Sequence, residues 1–300
     1  MTGAGGSVGS ECCLTLERSG EWELTCLDRD ESLLHALELR LWGTGTLERP
    51  ELVLADLRDF AVMSDLVRDL RPHTVIHAGA LKHVPMLERF PQEAWKTNVL
   101  ATRGLLEACV RANVAVFVNV STDKAANPRT VLGHTKRIGE RMVAHVAVHT
   151  GLRYYSVRFG NVWDSRGSVA RTFRYQAEHG LPVTVTDPQA TRYFMDTAQA
   201  VDLVISTMRD AEGGQTLILD MGEPVSILER AHEIVEHCGS DSPIAFTHLR
   251  GAEKQRESLV DVRETPSRWL RPGVTSVRVA PLDPARLGAA YESSDRFTED

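Results

Sequence analysis

Short apolar runs alternate along this chain with longer stretches in which apolar residues recur every three or four positions. Runs at 24–27, 52–55, 74–78, 114–120, 154–159 and 216–219 predict β-strands. Stretches at 10–18, 31–41, 59–70, 91–112 and 135–150 predict helices. Alternation of this kind folds into a parallel sheet with helices on both faces. The run Val-Ala-Val-Phe-Val-Asn-Val ending at Val120 is apolar at nearly every position, as a strand covered on both faces must be. After Asn161 the pattern loosens, with turn-rich segments around 164–168 and 187–190. The last ten residues are polar and partly acidic, and we expect them to fray.

Composition narrows the class. Three hundred residues, 42% hydrophobic and 25% charged, are those of an ordinary globular chain with enough length for a large core. Net charge is −7, from 34 basic and 41 acidic residues, and no basic block runs along the chain, so no nucleic-acid partner is expected. The cysteines Cys12, Cys13, Cys26, Cys109 and Cys238 are odd in number and form no Cys-x-x-Cys pair. We therefore expect free thiols in a reducing cytoplasm, and no metal. No apolar run approaches the roughly 18–20 residues that span a bilayer, and no signal peptide is visible, so neither a membrane segment nor export is expected.

The candidate chemistry begins at the first residues. Thr2-Gly3-Ala-Gly-Gly6-Ser7-Val8-Gly9 leads into a helix-like stretch. Glycines at this spacing let the backbone turn tightly and approach a pyrophosphate seated on a helix N-terminus. The first of these runs, 24–27, leads into Asp28, about 19 residues past Gly9, where a ribose-binding carboxylate belongs. Asp56-Leu57 follows the second run, 52–55, where related folds contact adenine, although a capping aspartate is an equal reading there. The fold class is thus α/β, a Rossmann-type doubly wound parallel sheet. We place a dinucleotide-binding domain at 1–163 and a smaller C-terminal substrate-binding region at 164–300, with a segment of about 196–222 returning to the sheet. The cofactor is NAD or NADP. Asp28 leans the choice to NAD, because a carboxylate bonds a 2′-hydroxyl and repels a 2′-phosphate; Arg29 beside it offsets that repulsion. An apolar strand normally precedes such a glycine loop, and here the first strand is expected to be missing.

The densest block is Ser121-Thr122-Asp123-Lys124-Ala-Ala-Asn127-Pro128, closing at Gly133-His-Thr-Lys136. It follows the fourth predicted strand, at the sheet edge where open α/β folds bind ligands. In isolation, Asp123 and Lys124 read as a surface loop pair and Lys136 as a helix-surface lysine. Taken with His-Ala-Gly-Ala-Leu-Lys-His-Val-Pro at 77–85, Val-Arg-Phe-Gly-Asn-Val at 157–162, Ser-Arg-Gly-Ser-Val at 165–169, Thr-Arg-Tyr-Phe-Met at 191–195 and Arg250-Gly-Ala-Glu253-Lys254, they read otherwise. Over nearly its full length the chain resembles the polysaccharide-biosynthesis branch of the extended short-chain dehydrogenases, the UDP-N-acetylglucosamine 4,6-dehydratases.

That resemblance implies a cytoplasmic, homo-oligomeric lyase acting on a UDP-sugar. A hydride leaves sugar C4, a base removes the C5 proton, an acid assists loss of the C6 hydroxyl, and the hydride returns to C6. By the same resemblance Lys124 is the base, Asp123 the acid, Thr122 a partner of the C4 oxygen, and Lys136 a partner of the nicotinamide ribose that helps the C4 hydroxyl lose its proton. Ala78, Ala80, Asn98 and Val162 would line the cofactor side. Lys82, Asn161, Gly167, Ser168, Val169, Arg192, Arg250 and Glu253 would meet the substrate. One departure stands out: most short-chain dehydrogenases carry Tyr four residues before the active-site Lys, and Leu132 occupies that place. Leucine exchanges no proton. A 4-epimerase of the same fold, or a catalytically silent dinucleotide-binding protein, is therefore the alternative.

Overall fold

In the computed structural model, which describes residues 1–249, 251–268 and 271–287, the predicted alternation is realised. The first half runs α1 (Ser7–Ser19), β1 (Cys26–Asp28), α2 (Glu31–Trp42), β2 (Leu52–Leu54), α3 (Phe60–Leu70) and β3 (Thr74–His77). It continues through α4 (Val84–Arg89), α5 (Pro91–Ala94), a π-helical turn Trp95–Leu100, α6 (Ala101–Arg111), β4 (Val116–Val120), α7 (Val131–Thr150) and β5 (Arg153–Arg158). Short polar side chains set the helix starts. Asp30, Asp59 and Thr130 accept from the N–H of Leu33, Val62 and Gly133 and cap α2, α3 and α7. The Thr130 cap opens α7 four residues ahead of the predicted start, because Leu132-Gly-His carries too little apolar periodicity to show it.

Two features went unseen in the pattern. The stretch at 91–112 is not one regular helix, since the π turn widens it and turns Asn98 inward, where it is buried. The sheet also gains antiparallel strands beyond the expected ones. Gln215–Leu219 pairs in parallel with β5, and Val274–Arg278 then pairs antiparallel with it. The main ladder is β3, β4, β5, Gln215–Leu219, Val274–Arg278 and Ser267–Arg268. Beyond Trp163, helices Val169–Glu178 and Ile227–His237 pack with strands Val183–Val185 and Ile244–Phe246 around Phe173, Val183, Val185 and Ile234. Among the described residues, no helix is long and apolar enough to cross a membrane.

The centre of the sheet is held by a single residue. Thr2 bridges Leu27 of β1 on one side and His77 of β3 on the other. Its N–H donates to Ile76 O at 3.0 Å and its carbonyl accepts from Ala78 N at 3.2 Å. His77 locks the junction: Nδ1 meets Thr2 Oγ1 and Nε2 meets Thr102 Oγ1, both at 2.9 Å. Burial, helped by the charge of Lys136, pushes His77 down to about 3, so the ring is neutral and serves as a hydrogen-bonded strut. Alongside Thr2, between β1 and β3, lies an apolar slot lined by Leu16, Leu24, Met63, Val67, Val75 and Leu105.

A strand threaded into that slot would gain ladder partners on both sides and bury apolar side chains worth roughly 1.5–3 kcal/mol each. We expect an extension of about six apolar residues ahead of Met1 to raise Tm by at least ~5 °C, taking about 2–4 °C per kcal/mol for a chain of this size. Thermal melts of the two chains decide it; an unchanged Tm would mean that the slot makes no demand for a strand.

Candidate active site

The glycine loop has the geometry its spacing predicts. Gly3 adopts φ 65°, and a Cβ there would lie 2.6 Å from Gly79 N, so only glycine lets this loop meet the one after β3. At Gly9 a Cβ would stand 2.0 Å from Gly3 O, which seats α1 directly under the turn. Gly6 caps α1 without a side-chain acceptor, and the first turn of the helix holds no acidic residue. The N–H groups of Ser7, Val8 and Gly9 are thus left open for an anion, with the helix dipole behind them. Asp28, buried at the end of β1, accepts from Gly5 N at 2.9 Å and Asp30 N at 3.2 Å, fixing its carboxylate beside the loop. These groups fit a dinucleotide. Arg29 is exposed beside Asp28. Asp56 is gripped by its neighbour Arg58 through Nε and Nη2, while Leu57 packs beneath Gly79.

The second cluster grows out of the β4–β5 ladder. Pairing continues past the strand ends, with Ser121 N on Val157 O at 2.7 Å and Asp123 N on Phe159 O at 2.9 Å. That turns Asp123 fully inside, with 0% exposure. Its Oδ1 accepts from Thr122 Oγ1 at 2.9 Å and from Lys124 Nζ at 3.0 Å. The same ammonium donates to Asn161 Oδ1 at 3.2 Å. Asp123 Oδ2 and Ser121 Oγ are buried and meet no hydrogen-bond partner among the described residues. A buried carboxylate oxygen left open in this way is where a ligand hydroxyl would be received.

Lys136 lies on α7, 9% exposed. Burial lowers its pKa from 10.5 to about 8, with the charge of Glu140 one turn on opposing the shift. Leu132, four residues earlier, faces an apolar cluster with Leu87 and Ala94. Asn98 supports the site's floor: Oδ1 accepts from Leu81 N at 2.9 Å, and Nδ2 donates to Leu81 O at 3.0 Å and Thr135 Oγ1 at 3.1 Å. It thereby sets the path of the Ala78–Ala80 loop against α7.

The residues expected on the substrate side come mainly from beyond β5, with Lys82 reaching them from the loop after β3. Arg166 N donates to Ser7 Oγ at 2.9 Å, and Lys82 Nζ donates to Arg166 O at 2.7 Å. The loop carrying Gly167 and Ser168 is therefore tied across the start of α1, with Gly167 at φ 67° against the His83 ring. Val169 opens the following helix, and Val162 is buried in the apolar cluster with Phe159 and Met195. Burial, then Arg171 and Arg166, hold Lys82 below the usual lysine range. Arg192 is turned toward main chain, Nη1 donating to the carbonyls of Thr191 and Gln255. Glu253 lines a groove with Met86, Arg89 and Thr130; Arg250 lies outside the described residues. Sequence reading missed His77, the Arg166 tie, and the buried pair Glu140–Arg158 behind Lys136, because each depends on neighbours far away in the chain.

Fold and site together define a doubly wound, Rossmann-type α/β scaffold with a buried Asp123–Lys124 pair at its carboxyl edge. Residues 1–276 match the family described as polysaccharide biosynthesis protein, and the chain belongs to it. It is 39% identical over 91% of its length to the probable polysaccharide biosynthesis protein EpsC of Bacillus subtilis, and 38% identical over 88% to the capsular polysaccharide biosynthesis protein CapD of Staphylococcus aureus. It spans 46% and 45% of those two proteins, about half of each. Among solved structures it superposes on Pen from Bacillus thuringiensis with a TM-score of 0.83 and 26% identity, covering 96% of this chain and 90% of that one.

The buried Lys136 generates a stability prediction with a definite sign. Its folded pKa of about 8 lies below the unfolded 10.5, so across that window the unfolded chain binds the extra proton and stability rises with pH. Below about pH 8 the burial penalty is present in full. We expect Lys136→Met to raise stability at pH 7 by up to roughly 3 kcal/mol, and the gain to vanish toward pH 10.5. Denaturant melts across pH test it; a gain independent of pH would mean the lysine is not a buried, destabilising charge.

Proposed function

We propose that this chain is the catalytic unit of a nucleotide-sugar 4,6-dehydratase that converts UDP-N-acetylglucosamine to a UDP-4-keto-6-deoxy-N-acetylhexosamine. Residues 1–163 hold NAD, favoured by Asp28, and residues 164–300 supply most contacts to the sugar nucleotide. The observation that carries the reading is the buried Asp123 joined to Lys124 and Asn161 at the sheet's carboxyl edge. When bound, the nicotinamide supplies a hydride acceptor that later serves as hydride donor. Everything else falls to the chain. The N–H groups at Ser7–Gly9 bind diphosphate, and Asp28 holds a ribose.

Eliminating water from the sugar requires one proton to leave C5 and one to reach the C6 oxygen. Lys124 takes the first, and Asp123 delivers the second. A proton passed beforehand from the Lys124 ammonium to Asp123 along their 3.0 Å hydrogen bond leaves an amine to act as base and a carboxylic acid to act as donor, so the elimination ends on the ion pair it began from. Asp123 Oδ2, which has no partner among the described residues, is the oxygen turned to the sugar. Thr122 receives the C4 hydroxyl, and Lys136, with its proton affinity lowered by burial, assists its deprotonation. A 4-epimerase has no need to remove a C5 proton and would leave Asp123–Lys124 without a task, which is why we rank it second.

The test is incubation with UDP-N-acetylglucosamine and a trace of NAD, followed by mass spectrometry. A product lighter by one water, without accumulation of reduced cofactor, is expected. An isobaric product would establish the epimerase, and no product a silent binding protein. In deuterated solvent, Lys124→Ala should lose C5 exchange by roughly 100-fold or more; near-normal exchange would return Lys124 to an ordinary loop residue. Leu132→Tyr should not raise the rate by orders of magnitude, because position 132 faces the Leu87–Ala94 cluster. A large gain would show that the native chain is impaired for want of that hydroxyl.

A further inference from the structure

A second polar centre lies behind the site and is used by none of the steps above. Arg158, the last residue of β5, is 0% exposed, yet all five of its N–H groups find acceptors. Nε donates to Glu140 Oε1 at 2.9 Å, and Nη2 donates to Glu140 Oε2 at 2.6 Å and Glu264 Oε1 at 3.0 Å. Nη1 donates to Glu264 Oε2 at 2.8 Å and to the Leu259 carbonyl at 2.9 Å. Arg137 completes the set, with Nη1 on Glu264 and, at 3.5 Å, on Glu140. Two guanidinium groups and two carboxylates balance in charge, and all four are buried.

What this centre connects is more telling than its strength. Glu140 sits one helical turn beyond Lys136 on α7. Arg158 directly precedes Phe159, whose carbonyl holds Asp123 N. Glu264 lies far along the chain, and from it hydrogen bonds run back to the acid–base turn. Its Oε2 accepts from Asp261 N at 2.8 Å, and Asp261 Oδ2 accepts from Asn127 N at 3.1 Å. Asn127, at φ 46°, donates through Nδ2 to Ser258 Oγ at 3.0 Å and accepts from Val262 N at 3.3 Å. Lys254 Nζ adds a bond to Ala126 O at 2.9 Å.

We propose that the Glu140–Arg158–Glu264–Arg137 cluster is a positioning device, which seats segment 254–264 in one register against the acid–base turn and through it sets the grip on the sugar nucleotide. Apolar residues of similar volume would stabilise a core as well as buried ion pairs do. A planar fork saturated on both edges does something they cannot: it accepts its partners in a single arrangement. Glu253 immediately precedes this segment, so the register of the segment is also the register of that carboxylate. The assignment of the occupant rests on the dehydratase reading; the docking of the segment does not.

Glu264→Gln in the full chain tests it, because the change keeps shape and removes one charge, leaving the two arginines a carboxylate short. Hydrogen exchange should quicken at least about tenfold in both 254–264 and 122–127, while α1 and β1–β3 keep their protection. In turnover, KM for UDP-N-acetylglucosamine should rise at least about tenfold, with kcat and cofactor Kd within about threefold. Asn127→Gly strips the side-chain bonds to Ser258 and Val262 while leaving the main-chain N–H on Asp261, without touching the cluster or straining a positive φ, and should give the same pattern; if Glu264→Gln does not fold, this variant is judged by the same readouts. Uniform acceleration over the whole chain, or loosening of 254–264 with 122–127 unchanged, would overturn the proposal. So would an unchanged KM with a fall in kcat or cofactor affinity. Should the chain prove inactive on UDP-N-acetylglucosamine, the exchange measurement alone decides the docking, and the dehydratase reading fails separately.

Discussion

The site depends on a backbone ladder that outlasts its strands. β4 and β5 pair in parallel from Val116 to Val120, and two further bonds, Ser121 N to Val157 O and Asp123 N to Phe159 O, carry the register into the turn. A short carboxylate side chain has little reach of its own, so its placement is the placement of its backbone. Were the ladder to stop at Val120, Asp123 would be a loop residue free to face water, as the sequence in isolation suggests. Held to Phe159 it cannot turn outward, and Lys124 and Asn161, on the two sides of the same ladder, are brought to it.

The same ladder explains why so much of the fold was legible in the chain and some of the site was not. A strand buried on both faces must be apolar almost throughout, so 114–120 announced β4, and the glycine spacing announced the turn into α1. Local polar chemistry also showed through, as with Asp28 at the end of β1. The misses are of another kind. The π turn at Trp95–Leu100 leaves apolar periodicity nearly intact while swinging Asn98 inward, so the pattern reads as plain helix. Val274–Arg278 joins Gln215–Leu219 across more than fifty residues, and nothing near either strand specifies the pairing. Glu140 and Glu264 read as surface charges until Arg158 is seen between them.

Burial of this many charges has a cost that the fold contains in two ways. Around Arg158 it is offset by geometry, each donor meeting an acceptor. At Lys136 it is only partly offset, since Glu140 acts from a turn away and the lysine's pKa still falls to about 8. A lysine left in that condition is destabilising, and a structural role would be served better by an apolar residue of similar length. That uncompensated burial is an observation in favour of the chemical role we propose for Lys136.

Leu132 sharpens the point. With no phenol one turn before Lys136, a substrate hydroxyl that must lose its proton can use only the groups that are present. Thr122 Oγ1 already donates its hydrogen to Asp123 Oδ1 at 2.9 Å, so toward the site it presents lone pairs alone. A hydroxyl in that state accepts a hydrogen bond and orients its donor, but its own proton is engaged and it is a poor final base. Burial leaves Lys136 with a pKa of about 8, so a share of it is already a free amine just above neutral pH, and on the reading we propose that amine takes the proton. On the dehydratase reading we propose, the division of labour follows from these two facts: Thr122 aims the hydroxyl, and Lys136 draws its proton away.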